Sequence, residues 1–195
     1  MGHELLIVSP DLGINEYQGI PVETMSSFTF PMYRSRPWGL PSRKMKQVIK
    51  DFNPDVIHAV NPFFMVTSAV KYGQQCGIPI LASYHTHMPD YLDHYHLPLL
   101  KPIFWDYIRF WHQPADLNIT VSQSLLEELK SQHIHASGVL PRGIDLDKRH
   151  PRHFSQELYD QWTFGLDNQK LLVYVGRLAA EKDLDQLVEI FKFRD

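Results

Sequence analysis

Apolar residues come along this chain in two rhythms. Short continuous runs bounded by Pro, Gly or Asn read as buried strands, and longer stretches with apolar residues three and four apart read as amphipathic helices. Residues 4–9 (ELLIVS) open as a strand, and residues 20–30 come next as a loosely alternating extended segment carrying Val22, Met25, Phe28 and Phe30. The stretch PMYRSRPWGLP then reads as a proline-broken loop. Ser42 is placed to cap a helix bearing Met45, Val48, Ile49 and Phe52, which Asn53-Pro54 ends.

Residues 55–60 and 78–83 are two further apolar runs, separated by a helical period over 62–76 that Gly77 stops. Strand, helix and strand in such short order make a βαβ unit, which implies a parallel sheet. Residues 97–112 continue with Leu100, Ile103, Phe104, Tyr107, Ile108 and Trp111 on one helical stripe. The aromatic series Phe104, Tyr107, Phe110 and Trp111 fits a face packed on the sheet, with a lipid-facing stripe as the alternative. A strand over 115–121, a helix capped by Ser122 or Ser124, and a short strand over 138–140 complete this part.

PRGIDLDKRHPRHF is polar, basic and proline-bearing, and reads as a linker. Beyond it, residues 155–164 read as a helix, 171–175 as a strand, and the chain from Asp183 as another helix. The expected organisation is a doubly wound α/β domain over 1–148, a linker over 149–165, and the first strand and helix of a second domain over 166–195. The opening inside a strand leads us to expect sequence upstream of Met1.

Composition narrows the function classes. With 195 residues, 44% hydrophobic and 21% charged, the chain matches an ordinary globular protein. No apolar run reaches the roughly 18–20 residues that a membrane span needs, and no secretory leader is visible. A formal net charge of −3 with scattered Lys and Arg lacks the footprint of a nucleic-acid binder. The one cysteine, Cys76, excludes an internal disulfide and any cysteine-based zinc site, and is expected to be a buried, inert thiol.

Two stretches can carry chemistry. In open parallel sheets ligands sit beyond the carboxyl ends of strands, and Val175-Gly176-Arg177 is such a place. Gly176 admits a ligand close to the backbone, while Arg177 and Lys182 bring two cations beside the next helix's amino end, a combination that suits a diphosphate. A solvated loop pair is the alternative, because Gly-Arg-x(4)-Lys is not an established phosphate fingerprint. The second stretch is SYHTHMPDYLDHYH, in which His85 and His87 would share a side of an extended segment. A metal-dependent hydrolase using both is one reading, but catalytic zinc needs three protein ligands and no third is evident, so no metal is expected. A histidine that hydrogen-bonds substrate is the other. Asp93 and Asp106 do not form a recognisable glycosidase pair.

Five segments in order, DVIHAVNP, SYHTHMPDY, ADLNITVSQSLLEEL, PRGIDLDKRHP and YVGRLAAEKDLDQL, resemble retaining glycosyltransferases of family 4, with their two facing Rossmann-like domains (the GT-B fold). SYHTHMPDYLDHYHLPLLKPIFW with LPRGIDLD looks closest to the sulfolipid synthases of that family, which transfer sulfoquinovose from its UDP form to diacylglycerol. The resemblance implies a nucleotide-sugar donor, UDP-linked, a lipid acceptor at a membrane surface, a cytoplasmic peripheral location and no metal or redox cofactor. It also implies that Gly176, Arg177 and Lys182 hold the donor diphosphate and that His85 is the catalytic histidine near the transferred sugar. His87, Asp90 and Tyr91 then fall on a loop that reads the acceptor or sugar.

The family's first strand and glycine turn would precede Met1, and its acidic donor-sugar segment would lie beyond Asp195. The resemblance therefore implies an N-terminal domain lacking its first strand and a second domain only begun. By itself such a piece is expected to be inactive. A non-catalytic fragment and the metal-dependent hydrolase stand as alternatives.

Overall fold

The computed structural model describes residues 2–30, 33–61, 64–94, 96–141, 143–166, 170–176, 178 and 182–192, with the side chains of 30, 33–36, 94 and 191 not described. The chain divides into two compact units, Met1–Pro141 and Arg142–Asp195.

The first unit holds the sheet that positions the candidate site. Strands β6 (Ile57–Val60), β7 (Ile80–Tyr84), β8 (Leu117–Thr120) and β9 (Gly138–Val139) run parallel in that order. Helix α2 (Met65–Gln75) connects β6 to β7 and α5 (Gln123–Ser131) connects β8 to β9, as the βαβ pattern predicts. Gly73 lets α2 lie close on the sheet, because a Cβ there would stand 2.8 Å from the end of Ile57. Ser122 is the cap of α5, its hydroxyl accepting from the Leu125 amide at 3.3 Å. Ser42 acts one residue further from its helix than expected: α1 (Lys44–Phe52) starts after Arg43, and the Ser42 hydroxyl accepts from the Lys44 amide at 3.1 Å.

Two smaller sheets precede these strands. Strand β1 (Ile7–Pro10) pairs parallel with β3 (Ile20–Met25), which pairs antiparallel with β2 (Glu16–Tyr17). Residues that read as a proline-broken loop are instead strand β5 (Tyr33–Gly39), paired antiparallel with β4 (Ser27–Phe30) through a register shift. A hairpin needs no long hydrophobic run when its rings have a platform, and here Trp38 and Phe28 both meet the Phe64 ring edge-on, at 5.3 and 5.9 Å between centroids. Between β1 and β6 opens a cleft of about 1080 Å³, lined by Val8, Met45, Ile49, Ile57, Val60 and Ala69 among others. Neither strand has a partner on that side among the described residues.

Helix α4 (Lys101–His112) buries a different ridge from the one the apolar stripe suggests. Trp105, Ile108 and His112 face inward, joining Tyr84, Leu125, Leu126 and Leu129, while Ile103 and Phe110 are exposed. The choice turns on His112, which is 1% exposed yet satisfied: its Nδ1 lies 2.7 Å from Asn118 Oδ1, and the Asn118 amide donates to the His112 carbonyl at 2.9 Å. A histidine counts as polar in a sequence pattern, but with its partner supplied by β8 it packs as a core ring.

Burial lowers the pKa of His112 from its ordinary 6.5, with the Asn118 contact acting more weakly in the other direction. The unfolded chain therefore takes up a proton near pH 6.5 that the folded chain refuses, so stability is lost as pH falls through that value. Urea denaturation from about pH 7.5 to about pH 5 is expected to show a falling stability, with a shallower fall in His112→Gln. An unchanged slope in that variant would remove His112 as a source.

Cys76, expected to be buried, is exposed, because α2 ends there and turns at Gly77. In the second unit, helices α6 (Gln156–Trp162) and α7 (Leu184–Lys192) form as the pattern predicts. Residues 171–175, which read as a strand, carry no strand pairing, and Val175 is 91% exposed. A short apolar run becomes a strand only where another strand completes its hydrogen bonds.

Candidate functional site

The carboxyl ends of β6 and β7 are joined through side chains. Asn61, directly after β6, takes a left-handed backbone (φ 46°), which asparagine tolerates better than most residues. Its amide donates to the Ser83 carbonyl at 2.8 Å, and its Oδ1 accepts from the His85 amide at 2.8 Å. One residue thus closes the last rung of the sheet and fixes where His85 leaves it.

The strand register pairs His58 with Leu81 and Val60 with Ser83, so His58 and Ser83 share a face of the sheet. Ser83 is 1% exposed, and its Oγ lies 2.8 Å from Nε2 of His58 and 2.8 Å from Nε2 of His85. On the opposite face Tyr84 packs against Trp105 and His112. The result is a half-buried histidine at a strand end, held at its backbone by Asn61 and at its ring by Ser83. Desolvation pulls the pKa of His58 below its ordinary 6.5, even though more than a third of this residue meets solvent. No motif in the sequence singles out His58, Asn61 or Ser83. The pleat is the signal that could have flagged the first and last, since strand neighbours two apart share a side.

His85 and His87 do not work as a pair. Helix α3 (Met88–His94) begins immediately after His87, and the Met88 amide turns back to the Thr86 carbonyl at 2.7 Å, so 85–87 is a bend rather than an extended segment. His87 Nδ1 lies 2.7 Å from Glu128 Oε2 on α5 and 3.4 Å from Asp90 Oδ2 on α3. Burial raises the Glu128 pKa above its ordinary 4.5, while the charge of His87 pulls the other way. Asp90 and Asp93 also take the ammonium of Lys101, at 3.4 and 2.5 Å.

His87, Asp90 and Glu128 are close enough to share a cation, but His85 is not among them. One of its two carboxylates, Asp90, also meets the Lys101 ammonium, while Glu128 meets His87. The group of three among the described residues that could hold a cation thus joins His87 to Asp90 and Glu128 and does not include His85. Tyr91 is half-buried on α3.

Along α4, Pro41, Phe64, Thr67, Ile103, Phe104, Tyr107 and Trp111 line an almost wholly apolar groove of about 440 Å³. The Tyr107 hydroxyl accepts from the Phe64 amide at 3.1 Å, which ties α4 to the segment entering α2. The adjoining turn exposes Leu97, Leu99 and Leu100, Leu99 being 89% exposed.

In the second unit, Gly176 is tightly approached: a Cβ would collide with the Tyr174 ring. Lys182 is exposed two residues before α7, whose free amide groups begin at Leu184. Arg177, expected beside them, lies outside the described residues.

Known proteins resemble this chain along most of its length. A family model described as Glycosyltransferase Family 4 matches residues 1–148. A sulfoquinovosyl transferase of Arabidopsis thaliana is 33% identical over 97% of this chain and 38% of its own length. A GDP-mannose-dependent alpha-mannosyltransferase of Mycobacterium tuberculosis is 29% identical over 95% of the chain and 50% of its own. An alpha-monoglucosyldiacylglycerol synthase of Streptococcus pneumoniae is 24% identical over 97% of the chain and 45% of its own. The chain thus spans half or less of the length of these relatives.

Proposed function

Because the chain belongs to glycosyltransferase family 4, we propose that the protein transfers a sugar from a nucleotide-sugar, UDP-linked, to a lipid acceptor such as diacylglycerol, with retention of configuration. The observation that carries this reading is the match along 97% of the chain to a sulfoquinovosyl transferase, with His85 fixed at the carboxyl end of the sheet. Retention is compatible with the described residues, because a same-face attack asks for no carboxylate nucleophile.

In the proposed reaction the nucleoside diphosphate leaves first and gathers negative charge. Arg177, Lys182 and the amino end of α7 would stabilise that charge more than they stabilise the bound donor. The acceptor hydroxyl would attack from the same face, its proton passing to the departing phosphate, and His85 would hydrogen-bond the transferred sugar most strongly in the transition state. No metal or redox cofactor enters this scheme.

The lipid half of the reading is supported by the apolar groove beside Phe64, three residues beyond the asparagine that fixes His85. Exposed Leu97, Leu99, Leu100, Ile103 and Phe110 extend that apolar surface, as a protein working at a bilayer surface would need. No helix among the described residues is long and apolar enough to cross a membrane.

Incubation of this chain, extended to the length of its relatives, with UDP-sulfoquinovose, UDP-glucose or GDP-mannose and vesicles containing diacylglycerol tests the proposal. A glycolipid that keeps the donor's anomeric configuration is the expected product. Product from GDP-mannose alone would overturn the UDP assignment, and absence of product from the extended chain with all three donors would overturn the function.

A further inference from the structure

The hydroxyl of Ser83 has two imidazoles on it and only one proton to give. Among the described residues its Oγ meets Nε2 of His58 and Nε2 of His85, each at 2.8 Å, at a site that is 1% exposed. A serine hydroxyl donates once and accepts through its lone pairs, whereas a neutral imidazole nitrogen either carries a hydrogen or is bare. If both rings donated, the hydroxyl proton would be left in a buried place without an acceptor. If both nitrogens were bare, one of the two contacts would have no hydrogen in it. The arrangement that satisfies every atom has one ring donating to Ser83 while Ser83 donates to the other.

We propose that His58, acting through Ser83, is a positioning residue whose tautomer is coupled to that of His85, so that the two rings hold opposite tautomers. The rigidity needed for this is present. Ser83 lies on β7 with β6 on one side and β8 on the other, its carbonyl is taken by the Asn61 amide, and the His85 amide is taken by Asn61 Oδ1. These bonds fix the backbone of both residues, and the 2.8 Å contact with Ser83 Oγ holds the His85 ring.

The relay also constrains a cationic His85. Both of its nitrogens then carry hydrogen, so Ser83 must accept from it and turn its own proton towards His58. That requires a neutral His58 with a bare Nε2, and the lowered pKa of His58 favours its neutral form. The proton count balances: one hydrogen lies between His85 and Ser83, and one between Ser83 and His58.

Rotation of this hydroxyl would thus couple an outer histidine on the edge strand to the one at the strand end. The proposal rests on the functional reading only in giving His85 a role in transfer. The hydrogen-bond pattern stands apart from it.

Long-range proton–nitrogen NMR spectra of the nitrogen-15-labelled protein at neutral pH read each ring's tautomer directly. Opposite tautomers at His58 and His85 are expected, with His85 changing to a mixture in His58→Phe while the rest of the spectrum keeps its dispersion. Ser83→Thr keeps the hydroxyl and is expected to keep a single tautomer at His85. The same tautomer on both rings of the wild-type protein, or an unaltered His85 in folded His58→Phe, would overturn the proposal. In the transfer assay His58→Phe is expected to lower kcat about tenfold with KM little changed. Opposite tautomers in an extended chain that transfers no sugar would uphold this inference and remove the functional one.

Discussion

Replacing His85 by alanine is expected to lower kcat for sugar transfer by about a hundredfold or more, the effect of removing a group that acts mainly in the transition state. KM for the donor should change little. The expectation comes from how the ring is held, since a side chain fixed at both its backbone amide and its Nε2 loses little orientation freedom on meeting substrate. Thermal melting of the variant should stay close to that of the parent, because His85 is half-buried and outside the apolar clusters. His87→Ala is the informative control. His87 meets Glu128 and Asp90, so its loss should loosen α3 against α5 and leave kcat far less affected. Equal losses in the two variants would place the role in the loop as a whole, against His85 in particular.

The second large effect is expected in the other unit. In the chain extended to its relatives' length, Arg177→Ala and Lys182→Ala should each weaken binding of the nucleotide-sugar by about 1.5–3 kcal/mol, the range for a charge-assisted hydrogen bond to an anion. That is roughly a ten- to hundredfold rise in Kd. Calorimetric titration with UDP-glucose, and with UDP alone, separates diphosphate contacts from sugar contacts: both ligands should weaken together. Unchanged affinity in both variants would return these cations to the solvated loop pair that their sequence spacing also allows.

The parallel sheet is legible in the sequence because its strands are short apolar runs between a helix stop and a helix start, and the register then comes from burial on both faces. Strand β5 is not, since Arg34, Arg36 and Pro37 break any hydrophobic pattern and the hairpin is held by rings from elsewhere in the chain. The buried ridge of α4 escapes the apolar stripe for the related reason that His112 and Asn118 satisfy one another across six residues of sequence. At the candidate site His85 is legible from its place after a strand. Ser83 and His58 are not, because their meaning arises from the pairing of Val60 with Ser83 across two strands. Grouping His87 with His85 depends on an extended geometry that the start of α3 removes.

The cleft between β1 and β6 has a consequence for handling the molecule. Two strands of four residues each face it with amides and carbonyls that no described strand takes up, above a floor of methionine, isoleucine and valine side chains. Such an edge accepts any extended segment of suitable composition and does not discriminate between a neighbouring molecule and a loosened part of the same one. Shortness is a partial safeguard, and neither strand carries a Lys, Arg, Asp or Glu side chain to add another. Concentration then becomes a structural variable: in dilute solution the slot is wetted, and in concentrated solution strand addition between molecules competes with water for the same hydrogen bonds. Self-association through these backbone polar groups is therefore the expected behaviour to watch for as concentration rises, with a net charge of only −3 to oppose it.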